Sequence, residues 1–418
     1  MNPSKEYFES MHRPIQSGIS NLPEEVGSIS SKDGTLNVRG EWIECTSSSP
    51  TPFPTAATRN QTVILYFHGG GHAFLSPASH RDFLCRLAKQ IGPGTRILSV
   101  DYRMAPEHPF PAAIHDAYAA YLYLTDPDHK ALNLGERAKT LLGKERIEPR
   151  DVVIAGDSAG GNLATAFVLY LAKYVKPERM PHATILLSPW VDPTSSLPAA
   201  KSDDWYCYCP GPIGTSPFDK EAYMSFKKFH LASNYVCGDV NTAPNARNAF
   251  GKEREWAWYS HLSQHPLVSP AHCADLSGHT DTLLHTATHD RLVDDARLYA
   301  HRLGQENPEK LIRIEVYQDM VHVHHVMSVL PAARIAIKNI AHFIARSRRL
   351  RDLREGLVTA ATSEAEEKNE KGMVKARGSD DNIEWVAVGP RGNEESKDEG
   401  WPISVLRNCW PQNVEKEL

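Results

Sequence analysis

Gly156-Asp157-Ser158-Ala159-Gly160 is the stretch of this sequence best suited to covalent chemistry. A serine hydroxyl becomes a nucleophile when a neighbouring base takes its proton, and a sharp strand-to-helix turn between small residues lifts that hydroxyl clear of the backbone. The pentapeptide follows the apolar run 151–155 and precedes a helical stretch from Asn162 to Lys173, the setting such a turn requires. Ser158 is therefore the candidate nucleophile. Attack on a carbonyl builds negative charge on its oxygen, and His68-Gly69-Gly70-Gly71 offers a loop whose amides can approach that charge closely. Gly70, Gly71 and Ala159, the residue after the nucleophile, are the candidate oxyanion-hole donors, with His68 read as support for the loop. A phosphate-binding role finds no support, because neither a Walker pattern nor a dinucleotide-binding glycine motif between strand and helix is present.

The partners of such a serine follow it in the order acid, then histidine. Asp290 stands directly after the apolar run Asp281 to Ala287 and is read as the orienting acid, while Asp294 is expected to cap the next helix. The run Leu311 to Tyr317 leads into Val321-His322-Val323-His324-His325, where three histidines compete for one role. His322 is nearest the strand and is taken as the general base, leaving His324 and His325 at the pocket wall or open to solvent. A metal site drawn from His68, His72, His322, His324 and Asp290 would leave the serine motif without purpose, and no His-Glu-x-x-His occurs. No cofactor is expected, since serine supplies the nucleophile and backbone amides the electrostatics.

These residues need a scaffold that brings loops from distant positions together. Strand-like runs at 62–67, 96–102, 151–156, 183–188, 281–287 and 311–317 alternate with helical periods at 80–90, 111–124, 162–173, 293–304 and 332–345. That alternation predicts an α/β fold with a mostly parallel central sheet flanked by helices. It lapses between 192 and 265, a stretch rich in Trp, Tyr, Pro and Cys that reads as a lid-like insertion beside a substrate pocket. The expected organisation is an N-terminal cap-associated segment over 1–55, a catalytic domain over 56–345 and a charged extension over 346–418, partly disordered or anchored by Trp385, Trp401 and Trp410.

Composition narrows the function further. With 41% hydrophobic residues, 23% charged residues and a net charge of -5, the 418-residue chain carries no basic signature of nucleic-acid binding. No apolar run approaches the roughly 20 residues of a transmembrane helix, and the N-terminus lacks a signal-peptide core, so a cytoplasmic location is expected. Seven scattered cysteines do not form a disulfide framework, and Cys207 and Cys209 are spaced too closely for a zinc hook. A homodimer through an exposed sheet edge or the last helix of the catalytic domain is a further expectation.

Six ordered motifs, HGGG at 68–71, DYRMAPEHPFPAA at 101–113, GDSAGGN at 156–162, LLSPWVD at 186–192, HDRLVDD at 289–295 and DMVHV at 319–323, resemble the hormone-sensitive-lipase-like group of α/β-hydrolases. The resemblance runs from about Gly40 to Ala345 and implies the α/β-hydrolase fold with a helical cap. It also implies Ser158, Asp290 and His322 as the triad, Gly70, Gly71 and Ala159 as the oxyanion hole, and a small-molecule ester as substrate. Arg103 is expected to pair with Asp157 or Glu107 in a network beneath the site, and residues 1–40 to join the cap. Where the group often carries an aromatic residue soon after the base, this chain has Val323-His324-His325, which suggests a more polar surrounding. The implied activity is hydrolysis of a small or medium acyl ester. The same acyl-serine could instead pass its acyl group to an alcohol or amine, or close a lactone, as in natural-product pathways. A non-catalytic receptor is disfavoured because the base histidine is retained.

Overall fold

The computed structural model describes residues 24–25, 28–30, 37–45, 62–126, 147–175, 177–201, 207, 235–236, 263–356 and 383–390. The β-branched and aliphatic runs form strands β1 (Glu24–Glu25), β2 (Ser28–Ser30), β3 (Asn37–Glu44), β4 (Val63–Phe67), β5 (Arg96–Asp101), β6 (Val152–Asp157), β7 (Ala183–Leu187), β8 (Asp281–His289), β9 (Ile312–Val321) and β10 (Ile383–Val388). They make one sheet in the order β1-β2-β3-β5-β4-β6-β7-β8-β9-β10. From β5 to β10 every pairing is parallel, whereas β1, β2 and β3 join antiparallel at one edge. Helices α1 (Pro77–Ile91), α2 (Ala112–Thr125), α3 (Ala159–Tyr174), α4 (Val293–Glu306) and α5 (Pro331–Arg354) cover the two faces.

Side chains alternate across a strand, and β4 divides the core accordingly. Val63, Leu65 and Phe67 pack with Leu163, Phe167 and Leu171 of α3 and with residues of α2 and α4. Ile64 and Tyr66 face the other way, against Phe83, Leu84 and Leu87 of α1 and Ile337, Ile340 and Ile344 of α5. Both faces of the central strands are thus buried, which is why those strands read as continuous apolar runs rather than alternating ones. The helix periodicity has the same origin, because the residues that repeat every three or four positions are those that meet the sheet. Among the described residues, no helix is long and apolar enough to cross a membrane.

Both ends of the chain contribute to the described structure. The described parts of residues 1–55 extend the sheet as β1, β2 and β3; Tyr7, Phe8, Met11 and Leu22 lie outside the described residues. At the other end, α5 continues past residue 345 to Arg354. Its arginines bind the rims of the sheet: Arg348 Nη2 donates to Thr62 Oγ1 at 2.8 Å and Arg354 Nη1 lies 3.3 Å from Asp281 Oδ1. The dense charge of 346–354 therefore belongs to a docked helix face.

Within the extension, β10 pairs with β9 over six residues, Ile383 to Val388, and its Val386 and Val388 pack with Tyr317, Ala332 and Ala336. Glu384 accepts from Arg346 at 2.6 and 2.7 Å and from Arg313 at 3.3 Å. Trp385 is partly buried against the core, and Trp401 and Trp410 lie outside the described residues. Most of the insertion at 192–265 lies outside them as well. Because β10 docks on β9, Val386→Ala removes two buried methyl groups and should lower the unfolding free energy by about 1–3 kcal/mol. Denaturant titration measures this, and an unchanged midpoint and slope would show that 383–388 does not dock in solution.

Candidate active site

Parallel strands deliver their following loops to one end of the sheet, and Ser158, Asp290 and His322 each stand directly after such a strand. Ser158 follows β6 with φ 52° and ψ -118°, a conformation that costs about 1–3 kcal/mol for a non-glycine residue. The surroundings enforce it. The Ser158 amide donates to the Leu187 carbonyl at 2.9 Å, and the Ser158 carbonyl accepts from Asn162 and Trp190, each at 3.0 Å. The glycines flanking the serine are explained by backbone crowding. A Cβ on Gly156 would stand 2.2 Å from the Gly160 carbonyl oxygen, and one on Gly160 would stand 2.0 Å from that of Phe67. The start of α3 is thus pressed against the end of β4, where the glycine loop begins.

Asp157, the residue before the serine, ties that loop to the turn. Its buried carboxylate accepts from the Gly69 amide at 2.9 Å and the Tyr66 hydroxyl at 2.5 Å, and faces His80 Nε2 at 3.2 Å. Burial raises the pKa of Asp157, but the His80 charge and these hydrogen bonds outweigh it and hold the pKa below the ordinary value. His68 supports the loop as expected: its Nδ1 donates to the Gly69 carbonyl at 2.7 Å and its own carbonyl accepts from Tyr102 Oη at 2.6 Å. Gly70, at φ 115°, turns its carbonyl into the amides of Ala73 and Phe74. Ala159 opens α3, where an amide has no carbonyl partner within the helix.

Asp290 and His322 meet directly. Asp290 follows β8, His322 follows β9, and His322 Nδ1 lies 3.0 and 3.1 Å from the two Asp290 oxygens. A carboxylate only accepts, so Nδ1 carries the proton and Nε2 keeps its lone pair. Burial lowers the His322 pKa, yet the Asp290 charge and hydrogen bond prevail and the net direction is upward from 6.5; Cys207, whose Sγ accepts the Arg291 amide at 3.3 Å, adds to the rise. Asp290 is likewise held below its ordinary value: burial acts against this, and His322, Ser188 and the Leu292 amide outweigh it.

Two buried polar residues of this site went unsingled in the sequence. Ser188, at φ 48°, bonds Asp290 through its hydroxyl, which also accepts the Val323 amide at 3.1 Å. It thus joins Asp290 to the residue after His322, next to Leu187, which holds the Ser158 amide. Asp192 accepts from the Thr194 amide at 3.0 Å, the Ser196 amide at 2.8 Å and His272 Nε2 at 3.1 Å, turning the chain off the sheet where the insertion begins. Both lie in the LLSPWVD segment, but a single serine or aspartate after a strand carries no signal of which loop it will hold.

Three readings are corrected. Arg103 pairs with Asp116, through Nη2 at 2.7 Å and Nε at 2.9 Å, not with Asp157 or Glu107; Asp157 is engaged by Tyr66, Gly69 and His80, and Glu107 is exposed. Asp294 does not cap α4. It sits inside the first turn and accepts the Ala199 amide at 2.8 Å, while Asp290 accepts the Leu292 amide at 2.9 Å. His324 and His325 do not face solvent, each being 0% exposed. Among the described residues, no group of three or more metal-ligating side chains is placed to hold an ion.

The profile of the alpha/beta hydrolase fold family matches residues 64–212 and 239–326 of this chain. An acetyl-hydrolase of Streptomyces hygroscopicus is 31% identical over 69% of the chain and 77% of its own length. Carboxylesterase NlhH of Mycobacterium tuberculosis is 30% identical over 67% and 72% respectively. Among solved structures, a hormone-sensitive lipase from a metagenome library covers 81% of this chain and 91% of its own at 27% identity, with a TM-score of 0.51. The match in profile, in sequence and in fold leads to one conclusion: the chain belongs to the alpha/beta hydrolase fold family, in its hormone-sensitive-lipase-like group, and is an enzyme of the carboxylesterase type.

Proposed function

We propose that the protein hydrolyses esters of small or medium acyl groups through an acyl-enzyme on Ser158. The observation that carries this reading is the pair of hydrogen bonds between His322 Nδ1 and Asp290, made at the end of the sheet where the strained Ser158 turn lies. With Nδ1 protonated, His322 Nε2 accepts the Ser158 proton as Oγ attacks the ester carbonyl. The Gly70, Gly71 and Ala159 amides receive the charge that develops on the carbonyl oxygen. Collapse of the tetrahedral intermediate breaks the bond to the alcohol, which leaves with the proton held by His322. Water then attacks the acyl-serine by the same proton path, releasing the acid and restoring Ser158. The similarity to an acetyl-hydrolase supports a short acyl group.

Mass spectrometry after exposure to p-nitrophenyl acetate, butyrate and octanoate tests the mechanism. A mass increase equal to the acyl group, together with phenolate release, is expected in the wild type. Both should vanish in Ser158→Ala, with kcat falling about 10⁴- to 10⁶-fold. Acylation without turnover would point instead to transfer to an alcohol or amine acceptor. The base acts only when unprotonated, and Asp290 raises its pKa above that of an ordinary histidine, so kcat/KM for a neutral ester should rise with pH through an acidic limb displaced upward from the ordinary imidazole range. Asp290→Asn removes the charge that raises this pKa, so the limb should move down and the plateau fall by about 10⁴-fold. Ser188→Ala should lower kcat about 10-fold with little change in KM, because it loosens the acid and base without touching the ester; an unchanged kcat would show that Asp290 and His322 align without it.

A further inference from the structure

His325 lies three residues beyond the base, in the single-turn helix His324–Val326, and has no solvent exposure. Its Nε2 is 3.0 Å from Nδ1 of His285, a residue of β8 that is equally buried. His285 Nε2 in turn lies 3.2 Å from Glu315 Oε2 on β9. Glu315 also accepts from Arg313 Nε at 2.7 Å, Tyr317 Oη at 2.7 Å and Asn339 Nδ2 at 2.8 Å. Its carboxylate is therefore ionised: burial raises its pKa, and His285, Arg313 and Tyr317 together drive it well below the ordinary value.

The chemistry of these groups sets the direction of each bond. Glu315 has no proton to give, so the tautomer of His285 that suits it carries the proton on Nε2, 3.2 Å from the carboxylate. Arg313 sits between Glu315 and Glu384, and Glu384 is paired again with Arg346. With the His285 proton on Nε2, Nδ1 presents a lone pair, and His325 Nε2–H donates to it. Burial, with His324 and His285 beside it, keeps His325 itself neutral.

The same histidine of β8 also holds the other end of this loop. The His285 carbonyl accepts the Ser188 amide at 2.7 Å, and the Ser188 hydroxyl accepts the Val323 amide at 3.1 Å. Val323 is a β-branched residue held at φ 45° and ψ 41°, a left-handed conformation that it does not adopt unassisted. Arg86 closes the loop from α1, donating to the His325 and Val326 carbonyls at 3.3 and 3.5 Å.

We propose that His325, through its hydrogen bond to His285, is a positioning residue for the base: it fixes the strained turn after His322 so that the imidazole stays on Asp290 and aimed at Ser158. This rests on the reading of His322 as the general base. Neither ring touches the ester, so the bracket acts on the rate of the chemical step and leaves substrate binding alone.

Two substitutions separate hydrogen bonding from packing. Phenylalanine keeps the ring volume at 325 and abolishes the bond, whereas glutamine places an N–H donor where Nε2 was. With p-nitrophenyl butyrate, His325→Phe should lose about 10- to 100-fold in kcat with KM within about twofold, and His325→Gln should recover most of that loss. A His325→Phe enzyme with wild-type kcat, a Gln variant as impaired as Phe, or a change confined to KM would each overturn the proposal. Thermal midpoints are measured for both variants. Should either fail to fold, wild-type protein labelled with ¹⁵N-histidine decides the matter: coupling between His325 Nε2 and His285 Nδ1 across their hydrogen bond is expected, and its absence overturns the bracket. His322→Ala is assayed in parallel. Full activity there overturns the assignment of the base and the bracket with it; lost activity there beside full activity in His325→Phe overturns the bracket alone.

Discussion

The buried carboxylate of Asp157 is the constraint from which the rest of the site follows. It is placed where β6 ends and Ser158 turns, and it draws in the glycine loop through Gly69, the β4 strand through Tyr66 and helix α1 through His80. A buried ionised group without partners would be costly, so the loop, strand and helix must all arrive in register for the sheet to close. The strained serine and the glycine amides are thereby fixed relative to each other before any ligand is present. Such preorganisation is what allows backbone dipoles to stabilise a developing charge without first having to reorient.

Asp290 and His322 are held on a different principle. Asp290 and His322 come from neighbouring strands, but the loops that carry them are joined by side chains that reach across, with Ser188 between them and the buried polar side chains of β8 and β9 behind. Hydrophobic packing fixes the strands, and hydrogen bonds fix the last residues of each loop, where packing alone would permit several rotamers. Directional bonds suit that task because a misaligned imidazole loses its bond to the carboxylate entirely.

Much of this was legible in the sequence. The strands of the central sheet could be read because both of their faces are buried, giving unbroken apolar runs, and the serine turn because its glycines answer to backbone contacts that allow no Cβ. Ser158, Asp290 and His322 were singled out by their order along the chain and their nearness to strand ends. What could not be read depended on partners far away in sequence. Arg103 meets Asp116 rather than Asp157, since helix α2 brings its own carboxylate closer. The arginines of 346–354 resembled a solvated tail because their contacts, Thr62 and Asp281, are unrelated in sequence position. The strands β3 and β10 were missed because each lies in a polar neighbourhood, and Glu384 in β10 is acceptable inside a sheet only because Arg313 and Arg346 neutralise it.

The parallel pairing of β10 with β9 has a consequence for how the molecule is made. Ile383 lies opposite Ile312, so partners in adjacent strands are separated by roughly 70 residues of chain, and a contact of that span forms slowly and late. During synthesis β9 is completed while its neighbour has yet to be translated, and its outer row of amides and carbonyls waits uncovered. The charged ladder at Glu384 then acts as a register mark for the arriving strand, since a shift by one residue would turn the carboxylate away from both arginines.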